Sequence, residues 1–83
     1  MEVTYRTTPS IRTNCVNVVV NETDTSFGFM LVDIGFKFVR RTSDYTSFMC
    51  NRDNIPSVIE KIRRETGRQL VPGWTITADG HIV

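Results

Sequence analysis

Apolar and polar positions alternate from Glu2 to Thr7, with Val3 and Tyr5 on one side and Glu2, Thr4 and Arg6 on the other. A period of two marks a strand with one buried face, and Pro9-Ser10 ends it. A second strand is predicted over Ile11–Val20, where Val16, Val18 and Val20 share a face and β-branched residues are dense. Asn21–Ser26 is a polar connection of hairpin-loop length. Phe27–Val32 is almost continuously apolar, which predicts a central strand covered on both faces. Asp33-Ile34-Gly35 then reads as a turn. Alternation resumes over Phe36–Thr42, with Phe36 and Phe38 inward, Lys37 and Arg41 outward, and Val39 breaking the pattern. Thr42-Ser43-Asp44 is a further turn, and Tyr45–Cys50 a short strand.

The period then changes. Ile55, Val58, Ile59 and Ile62 stand at i, i+3, i+4 and i+7, one stripe of a 3.6-residue repeat, while Glu60, Lys61, Arg63 and Arg64 fall off it. Asp53 or Asn54 is placed to cap the start, and Pro56 is tolerated in a first turn whose N–H groups have no partner. Gly67 is placed as the residue that stops the helix in a left-handed conformation. Glu60 and Arg64 are spaced as an i,i+4 pair, and the cations Arg63, Arg64 and Arg68 gather where the helix dipole favours them. After Pro72-Gly73, Trp74–Ala78 reads as a strand, Asp79-Gly80 as a two-residue hairpin turn, and His81-Ile82-Val83 as its return.

Together these elements predict one small α+β domain over residues 1–83: an antiparallel sheet of about five to six short strands, with a single helix on one face, in the order β-β-β-β-β-α-β(-β). The expected core is Val3, Tyr5, Val16, Val18, Val20, Phe29, Leu31, Phe36, Phe38, Ile55, Val58, Ile59, Ile62, Trp74 and Ile76. One helix covers only part of such a sheet. Phe27, Met30, Val32, Ile34, Val39, Phe48, Met49, Leu70 and Val71 are left over, and an uncovered apolar surface is a liability unless a partner meets it.

Composition narrows the function more than it defines it. A chain of 83 residues with 40% hydrophobic and 23% charged residues is globular in character and too short for a deep enclosed cleft. Its longest apolar runs fall far short of a membrane span, and the polar start MEVTYRTTPS resembles no secretory leader. A cytoplasmic protein with no membrane contact is therefore expected. Cys15 and Cys50 make no C-x-x-C pair and are expected as reduced, packed thiols, although a single disulfide stays open. His81, the sole histidine, sits in the last three residues, a poor place for a catalytic base. No phosphate-binding glycine motif, zinc spacing or EF-hand pattern occurs, and no family signature is carried. No enzyme activity and no cofactor or metal are expected.

Charge is uneven behind a net value of +1: between residues 37 and 68, eight cations face four carboxylates. The candidate binding surface is therefore basic, with Lys61, Arg63, Arg64 and Arg68 at the helix end and Arg40 and Arg41 as a second patch. The leading expectation is a non-enzymatic regulator, inhibitor or adaptor that contacts another protein, with a homodimer as one form of it. The alternative is a nucleic-acid-binding module using the same cations, with Tyr45, Phe48 or Trp74 stacking on bases. A third reading is an enzyme whose site forms only between subunits.

Overall fold

The computed structural model describes residues 2–73. Five strands and two helices follow in the order β1 (Glu2–Pro9), β2 (Cys15–Val20), α1 (Thr25–Ile34), β3 (Lys37–Arg41), β4 (Thr46–Asn51), α2 (Ile55–Thr66) and β5 (Gln69–Pro72). A short 3-10 turn over Arg52–Asn54 leads into α2. The α+β class stands. The predicted C-terminal strand, the Asp79-Gly80 hairpin and its return, and the predicted core residues Trp74 and Ile76, lie outside the described residues.

The sheet runs β3-β4-β2-β1-β5. Neighbouring strands are antiparallel except β1 and β5, which are parallel. The sheet is thus mixed, which corrects the wholly antiparallel expectation. Parallel strands require a crossover connection, and the helices supply it: β2 reaches β3 through α1 past β4, and β4 reaches β5 through α2 past β2 and β1. Both helices lie on the same face, in contact with each other.

The second correction concerns Phe27–Val32, which is helical and not a central strand. A short apolar run is compatible with either state, and its flanks decide. The Asp24 carboxylate accepts the Ser26 N–H at 3.0 Å, closing the helix start. Gly35 ends it in the left-handed region at φ 106, with its N–H returned to the last turn. The expected turn at Asp33-Ile34-Gly35 is this helix end. Helical spacing then puts Phe27 and Leu31 into the core and Phe29, expected inside, into solvent. So the described residues carry two helices where one was predicted.

The core is a single layer between sheet and helices: Val3, Val16, Val18, Val20, Phe27, Leu31, Phe48, Val58, Ile62 and Leu70. Tyr5, Phe36, Val39, Ile55 and Ile59 pack against its margin. The α2 seam is formed as its spacing predicts, with Gly67 left-handed at φ 75 and donating to Arg63. Asn54 caps without a side-chain bond, while Asn51 caps the preceding 3-10 turn. The second strand starts only at Cys15, because the chain turns over residues 10–14 with Asn14 at φ 65. Leu70 and Val71, left unplaced by pattern, form the edge strand β5.

Phe38 is the third correction: it is exposed, not core. Lys37 pairs with Met49 and Arg40 with Ser47, so β3 carries one extra residue between them. A bulge of this kind re-aims a side chain. Val39 keeps the inward position, and Phe38 is turned out at φ 56. This is the physical cause of the broken alternation at Val39.

Candidate functional site

The predicted basic surface does not assemble as one patch. Arg68 is 8% exposed and lies inside a small polar cluster. Its guanidinium reaches Glu22 at 3.2 Å and Asp24 at 3.5 Å, and stands 5.0 Å from the centre of the Phe27 ring. It ties the start of β5 to the β2–α1 connection, so its charge is spent on the fold. Arg63 is paired with Glu60 one helical turn away, in place of the expected Glu60–Arg64 pair. That pairing holds the Glu60 carboxyl below its ordinary range, the Arg63 hydrogen bond being the main cause. Lys61 and Arg64 remain exposed on α2.

Arg40 and Arg41 part company. Successive strand residues face opposite ways: Arg41 pairs with Thr46 on the helix side, where its Nε donates to the Thr23 carbonyl at 2.6 Å. Arg40 pairs with Ser47 on the other face. Cys15 and Cys50 are also on opposite faces of adjacent strands, by register, and both are free thiols. Burial, and then the neighbouring Cys15, raise the Cys50 thiol above its ordinary value, which keeps it protonated. Among the described residues no group of histidine, cysteine or carboxylate side chains is arranged to hold a metal ion. No helix there is long and apolar enough to cross a membrane.

Two other surfaces emerge instead. The first is the outward side of α1. Phe29 is 67% exposed, Val32 56% and Met30 36%, and Asp33 is the only charged residue in the helix. A helix apolar on all sides is ordinarily buried on all sides. Between α1 and β3 runs a groove of about 230 Å³ lined by Thr25, Gly28, Phe29, Val32, Val39 and Arg41. Gly28 lies in its floor, and a Cβ built there would meet nothing within 4 Å. Glycine weakens a helix interior, and among the described residues no contact calls for it here, although Gly28 itself is buried.

The second surface lies on the far face of the sheet, at the β1–β2 turn. Ile11, Arg12, Asn17, Phe38 and Met49 line a groove of about 250 Å³ there, with Pro9 and Ser10. The Arg12 guanidinium sits 5.6 Å from the centre of the exposed Phe38 ring. Pattern reading left Met30, Val32, Val39 and Met49 over as apolar residues in need of cover, but it placed Phe29 and Phe38 in the core and so outlined neither surface. For α1 the missed signal was the bracket of Asp24 and Gly35; for Phe38 it was the interrupted alternation at Val39.

The chain matches no protein-family model, no curated protein and no solved structure.

Proposed function

We propose that this is a non-enzymatic binding module, a regulator, inhibitor or adaptor, that docks on another protein through the outward side of α1. The observation that carries this reading is a helix with apolar side chains in solvent beside a groove floored by Gly28. Burying exposed apolar area stabilises association at about 25 cal/mol per Å² before ordering costs are subtracted. Phe29 and Val32, one turn apart, would form the centre of the contact, and a partner side chain would enter the groove. Arg41 at the groove's edge would favour an acidic rim on that partner.

Among the described residues, both sheet edges argue against docking by strand addition. β3 carries Lys37, Arg40, Arg41 and a bulge, and β5 is four residues ending in Pro72. Charges, bulges and proline all blunt an edge.

A photo-crosslinking amino acid at position 29, in the native host, tests the reading. A discrete protein adduct is expected, lost when Val32→Glu is added and unchanged by Glu65→Ala on α2. No adduct at position 29, or one indifferent to Val32→Glu, would overturn it.

A further inference from the structure

The geometry points to a second site, on the far face of the sheet, that binds single-stranded nucleic acid through Phe38 and the cations around it. It lies on the other side of the sheet from α1 and does not rest on the protein-docking reading.

Charge is the first observation. Strand register puts Arg6, Lys37 and Arg40 on the face turned away from the helices, and Arg12 projects from the turn at its end. All are exposed, and among the described residues none is held in an ion pair. Among the described residues, Glu2 is the only carboxylate at a strand position of that face. Arg40, Ser47, Val19 and Arg6 form one cross-strand row. With strands about 4.8 Å apart, the two cations end a row of about 14 Å. Val19, in the middle, is itself buried. The chain's overall charge of +1 hides this segregation.

The aromatic ring is the second observation. Phe38 is 66% exposed and held at φ 56. That conformation is unfavourable for a bulky side chain, and such strain gathers where structure serves binding. The ring gains no burial in return. It stands beside the Arg12 guanidinium over a groove with Met49 in its lining and the Asn17 amide at its side. An exposed ring with an arginine next to it is a platform on which an unpaired base stacks, while neighbouring cations take the phosphates. The Asn17 amide gives one N–H to the Pro9 carbonyl at 3.3 Å, which leaves its second N–H and its oxygen for a base edge. A folded duplex keeps its bases stacked inside and has no use for the ring. An acidic peptide would use the cations but not the ring, which is why the single strand is favoured.

Fluorescence anisotropy with labelled oligouridylate and oligothymidylate tests the site on the full chain. Binding is expected at low salt, with log K falling against log salt at a slope of about −3 when all the cations engage, at about 0.7 per phosphate. Arg40→Gln should make that slope shallower by about 0.7. Phe38→Ala should weaken binding about fivefold or more without changing the slope. Both side chains are exposed, so both variants keep the fold, as circular dichroism would verify. Phe29→Ser, on α1, should leave affinity unchanged, which separates this site from the docking surface. The proposal is overturned by absence of binding at low salt, by a Phe38→Ala variant that binds as tightly as the parent, by duplex binding as tight as single-strand binding, or by equal competition from a polyglutamate peptide.

Discussion

Gly28 and Arg68 show how single residues divide between fold and function. Gly28 occupies a helix interior where alanine is better by about 0.5–1 kcal/mol, and among the described residues nothing lies within 4 Å of the position a Cβ would take. Gly28→Ala should therefore raise the thermal midpoint, by about 4–8 °C for each kcal/mol in a domain of this size. The same methyl would partly fill the α1–β3 groove, so a stabler protein that binds its partner less well is the expected pairing. Thermal melting by circular dichroism reads the first effect. Gly35 and Gly67 have the opposite sign: both are left-handed, and alanine there should destabilise. Arg68 belongs wholly to the fold. Its side chain is 10% exposed and that of Glu22 is 15% exposed. Removing the cation leaves a largely buried carboxylate without its partner, at a cost of about 3–5 kcal/mol. Arg68→Ala should lower the urea midpoint far more than Arg64→Ala, whose side chain is in water. If the two variants unfolded alike, the buried cluster would have no energetic role.

At the scale of the element, α1 depends on its first residues. Asp24 accepts the Ser26 N–H. Its carboxyl is held below the ordinary aspartate range, mainly by the Ser26 backbone and side-chain bonds, with smaller help from Arg68 and Arg41. A carboxyl whose folded pKa lies below its unfolded value adds stability at pH above the unfolded value. That stability is lost as pH falls through the folded value. The acid limb of the stability curve should therefore begin near pH 4 and continue downward. Asp24→Asn keeps a side-chain acceptor for the cap but cannot titrate, so it should flatten that limb by lowering stability at neutral pH toward the value the parent has in acid. Urea midpoints from pH 2 to pH 7 for the two proteins check this. The element also shows where pattern reading was sufficient. For α2, apolar period, proline in the first turn and glycine at the end agreed, and the helix formed as spaced. For α1, the apolar run obscured the period, and only Asp24 and Gly35 marked the ends.

At the largest scale, two helical crossovers on one face leave the sheet of the described residues with two unlike sides and two guarded edges. β3 is protected by Lys37, Arg40, Arg41 and its bulge. Converting Lys37, Arg40 and Arg41 to threonine should make association concentration-dependent, seen by light scattering, because the unpaired edge would lose its charges and keep only the bulge. Each candidate surface lies on a different side of the sheet, so substitutions at Phe29 and Phe38 should act additively on stability.

Local pattern was enough to determine the α+β class, the seam through Val58 and Ile62, the inward faces of β1 and β2, and the turn at Thr42-Ser43-Asp44. Each of these follows from periodicity or turn chemistry within a few residues. Tertiary structure alone decided that Phe27–Val32 coils rather than extends, that β5 joins β1 in parallel, and that Arg68 is buried while Phe38 is not. Those outcomes depend on which distant segment supplies a neighbour: Glu22 for Arg68, β1 for Leu70, and the pairing of β3 with β4 that forces the bulge. Spacing along a chain carries no record of contacts made across the sheet.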